Sequence, residues 1–251
     1  MIGKHYIVTG GTSGLGLEIV KQLLTRGALV TIIARNNAKY DAIDFGDYKH
    51  KVTMIQCDLL DKERIIEIAK LIECPIHGLI YSSGLGYFKS IRQHSSSEMI
   101  ETYEVNLISF NLIFQSLRPL LANQASIVAI SSQAAFVTQA NASHYGASKA
   151  ALNAVLNALR IEEPNYHIMA VNAGPIQTPF HEKADPSLNY AKKYESIMIN
   201  PKQFSNEIVK GMIKQKSEIN KPHWMHNMLK LYQLAPRTIE KYFTPLFRNK
   251  S

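Results

Sequence analysis

With 251 residues, 46% of them hydrophobic and 19% charged, the chain lies far from the polar, highly charged regime of disordered sequences, and a single α/β domain of this length buries an ample core. A formal net charge of +8 and a pI near 9.3 point to an anionic partner, be it nucleic acid, an acidic membrane surface or a phosphate-bearing small molecule, and charge alone does not choose among them. Two cysteines, Cys57 and Cys74, exclude a disulfide framework and fit a reducing, cytoplasmic compartment, while no apolar run approaches the roughly 20 residues that cross a bilayer.

In chain order, "HYIVTG" reads as a strand and residues 14–26 as a helix. "LVTIIA" is a strand followed by a short polar stretch, "KVTMIQ" a strand followed by the helix "DKERIIEIAKLI", and "HGLIYSSG" a strand before a helical segment near 96–118. "ASIVAISS", a helix over 143–161 and "HIMAVNAG" continue the alternation. About six such β-α units predict a Rossmann-type, doubly wound parallel sheet in one domain over residues 1–251, its strands' carboxyl ends aligned along one ligand-binding edge. Residues 179–200, in the proline-bearing stretch that begins at Asn172, form the long irregular region and the expected substrate loop. Residues 201–251 make a divergent helical part that holds ten Lys/Arg against three Asp/Glu.

"IVTGGTSGLGLEIVKQLL" sets Gly10, Gly14 and Gly16 between a strand and an amphipathic helix. Glycine lets the backbone turn sharply and approach a pyrophosphate, which the helix's unpaired N–H groups and dipole attract. Thr9-Gly10-Gly11-Thr12-Ser13-Gly14-Leu15-Gly16 fits the pattern Thr-Gly-x-x-x-Gly-x-Gly, and on it the chain resembles the short-chain dehydrogenase/reductases over roughly residues 4–180. The resemblance implies a nicotinamide dinucleotide held by Gly10, Thr12, Ser13, Leu15 and Gly16. Ala34 stands where an NAD-selective acid would sit and Arg35, a bidentate partner for phosphate, follows it, so NADP(H) is expected over NAD(H). By the same resemblance Asp58 accepts from the adenine amino group with Leu59 against the ring, although an Asp before a helix is equally a cap and Asp61 competes for that role. Ser83 and Gly84 would pass under the cofactor, and Ile176 and Thr178 would touch its carboxamide.

The chain departs from the family at Tyr81-Ser82-Ser83-Gly84, where Asn-Asn-Ala-Gly is usual, and at Ala173, which replaces a proline and predicts a slacker turn. Ser132 precedes Tyr145 by thirteen residues, the family's interval, and Lys149 follows four residues later. Reducing a carbonyl requires a proton donor on its oxygen, and a tyrosine of pKa about 10 needs help to exchange protons near neutrality. Lys149, one helical turn on, supplies a positive charge on the same face. The expected roles are Tyr145 as general acid or base, Lys149 as electrostatic partner and ribose ligand, Ser132 as donor to the substrate oxygen, and Asn106 as water relay to the lysine. Singly, each has a dull alternative: a cap for Ser132, a turn for Asn106, a surface cation for Lys149, a core aromatic for Tyr145. Together they predict an NADP(H)-dependent oxidoreductase interconverting a carbonyl and an alcohol, and the family implies a homo-oligomer. The two altered turns support the alternative, a non-catalytic NADP(H)-binding sensor or regulator on the same fold.

Tyr87, Phe88, Phe136, Phe180 and Met198 give the expected pocket rim an apolar bias. In the tail, Trp224, Met225, Met228, Leu229 and Tyr232 recur at helical intervals as one apolar stripe. It packs on its own domain or a neighbouring subunit, or it attaches peripherally to an acidic membrane with help from Lys230, Arg237, Lys241 and Arg248. The nine histidines lack ligand spacing, so no metal is expected, and no nucleic-acid recognition motif accompanies the charge.

Overall fold

The computed structural model describes residues 1–73 and 75–247; Cys74 and Arg248 lie outside them. The strands β1 (His5–Thr9), β2 (Leu29–Ala34), β3 (Val52–Gln56), β4 (Ile76–Tyr81), β5 (Leu121–Ser132), β6 (His167–Ala173) and β7 (Glu218–Lys221) form one parallel sheet in the order β3-β2-β1-β4-β5-β6-β7. The helices are α1 (Gly14–Leu24), α2 (Asn37–Asp41), α3 (Lys62–Glu67), α4 (Ser96–Tyr103), α5 (Ser109–Leu117), α6 (Ser143–Glu162), α7 (Phe180–Ala184), α8 (Asn189–Tyr194), α9 (Pro201–Ile213), α10 (His223–Leu234) and α11 (Pro236–Tyr242). The order of strands reverses between β1 and β4, which opens a crevice beyond their carboxyl ends.

Neighbouring strand residues point to opposite faces, so the sheet feeds two cores. Ile7, Ile33, Leu79 and Ile127 pack with Ile65 of α3, Phe110 and Ile113 of α5, and Leu152 and Leu156 of α6. Val8, Ile32, Ile80 and Val128 face the other way, onto Ile19 and Leu23 of α1 and Phe204 and Ile208 of α9. Strands buried on both sides are near-continuously apolar, which is why they were legible as short runs.

Three features depart from the sequence reading. First, β7 is an additional strand. Its sequence, Glu-Ile-Asn-Lys, buries only Ile219 and carries little propensity of its own; pairing with Ala170–Ala173 of β6 makes it a strand, and its charges suit a sheet edge. Second, the segment near 96–118 is broken by a π-helical turn over Glu104–Ile108. Tyr81, fully buried, donates its hydroxyl to the Val105 carbonyl there, and Ser109 bonds back to the Glu104 carbonyl, so the local ladder runs one residue wider. Third, residues 179–200 contain α7 and α8 rather than an irregular loop, and the excursion is closed at its base by the Ile176–Ile199 bridge, with Ile199 N–H donating to the Pro175 carbonyl at 2.9 Å.

The apolar stripe of the tail divides. Met225 and Leu229 of α10 turn inward to the crevice and Tyr232 is buried, while Trp224 and Met228 face solvent. Among the described residues, no helix is long and apolar enough to cross a membrane.

Candidate active site

A continuous cavity of about 1110 Å³ follows the carboxyl ends of the strands. Gly10, Thr12, Ser13, Leu15 and Gly16 line one part of it, Arg35, Asp58 and Leu59 one end, and Ser83, Gly84, Ser132, Tyr145, Lys149, Ile176 and Thr178 the rest. Of the residues expected to bind the cofactor or take part in the chemistry, only Asn106 is not on its wall.

The glycine turn is set by backbone geometry. Gly10 has φ +66° and donates its N–H to the Ile33 carbonyl at 3.0 Å, a left-handed conformation that strains other residues. A Cβ on Gly16 would stand 2.4 Å from the Gly10 carbonyl oxygen, so the first turn of α1 rests directly on the loop backbone. Ser13 stands at the N-cap of α1 without a side-chain capping bond, which leaves the first-turn N–H groups to an anion placed in the cavity. Because the colliding atom is backbone, Gly16→Ala is expected to lower stability by about 1–3 kcal/mol, read as a reduced Tm. An unchanged Tm would show that the turn is looser than this packing.

At the β2 end, Arg35 is exposed and its Nη1 lies 4.0 Å from Asp58 Oδ2. Asp58 accepts from Leu60 N–H at 3.0 Å, and it is Asp61 whose side chain caps α3 through Arg64 N–H, so the competition between the two acids is settled for Asp61. Asn36 and Lys39 line the same end of the cavity, and sequence reasoning missed both. A polar residue one place after an arginine and a lysine one turn into the next helix were the available signal.

The turns that depart from the family are held by other bonds. Thr9 Oγ1 accepts from Ser82 N–H and Ser83 N–H, each at 3.1 Å, which fixes the end of β4. Beyond Ala173, Gly174 donates to the Lys221 carbonyl at 2.7 Å, which ties the turn after β6 to β7.

Ser132 closes β5 and Tyr145 opens α6, which brings both hydroxyls to the cavity floor, where Ser132 Oγ donates to the Ala173 carbonyl at 3.3 Å. Ser132 Oγ also accepts from Ala134 N–H at 3.1 Å, which orients it. Lys149 is 3% exposed; its Nζ donates to the Ile130 carbonyl at 2.9 Å and lies 6.0 Å from the Tyr145 ring centre. Burial lowers its pKa from 10.5 to about 8. Burial also raises the Tyr145 phenol above its ordinary value, with the Ser132 hydrogen bond pulling the other way. The sequence reading expected the lysine to acidify the phenol. In the protein alone desolvation is the largest influence on the phenol, and the ammonium donates to the Ile130 carbonyl.

Asn106 sits in the π turn, fully buried behind Gly84. Its Oδ1 accepts from Leu85 N–H at 2.9 Å, and its Nδ2 donates to the Leu85 carbonyl at 2.8 Å and to Ser148 Oγ at 2.9 Å. It therefore ties the turn after β4 to α6 beside Lys149. A Cβ on Gly84 would come within 3.1 Å of Lys149 Nζ and 3.3 Å of Asn106 Oδ1, so glycine there is what lets the two approach the cavity floor.

Above Tyr145 the wall is aromatic. Phe88 and Phe180 lie 5.8 and 5.6 Å from its ring centre, and Tyr190 lies 5.1 Å from Phe88. Phe88 and Phe180 were expected on the rim, whereas Tyr87 instead bonds to Glu101, Phe136 packs on His226, and Met198 is off the wall. Tyr190, Tyr194, Met225 and Leu229, which the sequence did not reveal as lining, replace them. The α7 end is fastened to α4 by Lys183 Nζ on Glu101 at 3.0 Å. Among the described residues, no group of three or more His, Cys, Asp or Glu is arranged to hold a metal ion.

Residues 4–189 match the family model described as short chain dehydrogenase. The chain belongs to the short-chain dehydrogenase/reductase family. It is 28% identical to the probable short-chain type dehydrogenase/reductase VdlC of Helicobacter pylori, over 96% of each chain. It is 32% identical to an L-xylulose reductase of Caenorhabditis elegans, over 70% of this chain and 72% of that one. A short-chain dehydrogenase structure from Streptomyces avermitilis superposes with a TM-score of 0.79 at 20% identity, covering 97% of this chain and 98% of the other, which shows the shared fold. Members of the family are oxidoreductases that use NAD(P)(H), and the residues here fit such a cofactor: the glycine cradle closes if a Cβ is added at Gly16, and the start of α1 presents unpaired donors.

Proposed function

We propose that the chain is an NADP(H)-dependent oxidoreductase that interconverts a carbonyl and an alcohol on an apolar small molecule. The observation that carries this is the Ser132–Tyr145 hydroxyl pair on the floor of the cavity, with the buried Lys149 beneath it and the anion-ready start of α1 beside it. A bound nicotinamide would supply or accept the hydride. Tyr145 donates the proton to the substrate oxygen or withdraws it, Ser132 donates a hydrogen bond to that oxygen, and Lys149 holds positive charge near the phenol and binds the cofactor's ribose. Asn106 positions the lysine-bearing turn and offers its remaining oxygen lone pair to a relay water. The aromatic wall excludes water and favours a lipophilic ketone or aldehyde.

Arg35, Lys39 and Asn36 gather donors and positive charge at the ribose end, and no acid stands at the tip of β2, which supports NADP(H) over NAD(H). Arg35→Ala is expected to weaken NADPH binding about tenfold while leaving NADH binding unchanged, since one charge-assisted bond to the extra phosphate is lost. A parallel loss for both nucleotides would remove the phosphate role. Met99, Ile100 and Ile108, exposed on α4 and the π turn, give a homo-oligomer an apolar face to use. The buried free thiol of Cys57 suits a reducing, cytoplasmic setting.

The deciding experiment is NADPH oxidation across ketones, aldehydes and quinones, run beside equilibrium NADPH binding. Turnover of at least one carbonyl is expected. Tight NADPH binding with no turnover across the set would favour the sensor instead.

A further inference from the structure

We propose that the outer face of α10 docks the protein on an anionic lipid bilayer. A helix that packs on a domain ordinarily turns its apolar side inward. Here Trp224, Met228 and Leu231, at positions i, i+4 and i+7, form an outward stripe with 52%, 60% and 66% of their surfaces exposed. Leu234 and, at the end of α11, Tyr242 and Phe243 are exposed as well.

Charge selects the occupant. Between residues 222 and 247 the basic side chains are Lys230, Arg237 and Lys241, and the one acid, Glu240, is spent on Arg237 at 2.6 Å. Lys230 and Lys241 take part in no ion pair among the described residues. Apolar side chains bordered by unneutralised lysines match the acyl boundary and phosphates of an anionic leaflet. A two-fold contact with a second copy would set the same basic patch against itself, which disfavours that occupant.

The face is also joined to the site. The opposite side of α10 carries Met225 and Leu229 on the cavity wall. Tyr232 donates to Thr138 Oγ1 at 3.0 Å, fixing the helix to the segment that supplies Val137 and Gln139 to the same wall. A lipophilic substrate dissolved in the bilayer would thus have a short route, past α10, to the cavity. That route rests on the proposed carbonyl chemistry, whereas the docking does not.

Trp224 is the only tryptophan in the chain, so its emission reports this face alone. The full chain is titrated at low salt with equimolar phosphatidylcholine–phosphatidylglycerol vesicles and with pure phosphatidylcholine vesicles, with co-sedimentation alongside. A blue shift and sedimentation with the anionic vesicles are expected. The double variant Lys230→Gln/Lys241→Gln should bind about 30-fold more weakly. Met228→Ser/Leu231→Ser, which keeps the probe, should also lose binding, and both variants should retain NADPH affinity. No shift with anionic vesicles, or an equal shift with neutral ones, overturns the proposal. So does blue emission that grows with protein concentration in the absence of lipid, which would assign the face to a second copy. None of these readouts needs turnover, so a failure of the carbonyl reading is separately visible.

Discussion

Tyr145→Phe is expected to cut turnover about 10³-fold, the scale of a positioned proton donor, while NADPH binding and Tm stay near those of the parent. The ring keeps its contacts with Phe88 and Phe180, so the change removes an oxygen and little packing. The interaction of the hydroxyl with Ser132 is lost from the floor. Because burial raises the phenol's pKa, the group remains protonated through neutrality. Carbonyl reduction, which needs the acid form, should therefore hold its rate around neutral pH, and alcohol oxidation, which needs the base form, should accelerate as pH rises. Parallel pH–rate profiles for the two directions check this. A Phe variant that keeps most of its activity would end the proton-transfer assignment.

Lys149→Met is expected to abolish turnover to a similar degree and, unlike most losses of function, to stabilise the fold. Carrying an ammonium from a pKa of 10.5 to about 8 costs about 3 kcal/mol at neutral pH. Losing the bond to the Ile130 carbonyl returns about 1 kcal/mol of that, leaving a net gain of about 2 kcal/mol. The sign with pH follows from the unfolded chain holding the proton more tightly than the folded one. Below about pH 8 the parent bears the full penalty, and this falls away as pH rises from 8 toward 10.5. The stability advantage of the Met variant should accordingly be largest at neutral pH and shrink by pH 10. Denaturant unfolding of both proteins across that range measures it. An advantage independent of pH would mean that packing, and not the buried charge, separates them. If borne out, the lysine is a case of stability given up for function, as expected of a strained active site.

The glycine-rich turn, the alternation of strands and helices, and the Ser132, Tyr145 and Lys149 spacing were readable because each is a local matter. Left-handed glycine, a period of two or 3.6, and a four-residue helical step depend only on neighbours in the chain. Asp58 was ambiguous for the same reason: a cap and a ligand look alike until the Arg64 N–H is seen to choose Asp61. The tyrosine's acidity was not legible, because it turns on how much water reaches the phenol and on which acceptor the ammonium finds, and neither is written in a spacing.

By itself, then, the sequence determined the doubly wound sheet, the family, and the glycine turn and Ser132, Tyr145 and Lys149 gathered along the strands' carboxyl ends. Tertiary structure decided the rest. It made Glu218–Lys221 a strand, because pairing with β6 supplies bonds that four mostly polar residues could not recruit alone. It opened the π turn at Asn106, where the hydroxyl of Tyr81 claims a helix carbonyl from across the core. It also divided the tail's apolar stripe between cavity and solvent, since periodicity marks which residues share a helical side but only the neighbours present in space determine which part of that side is covered.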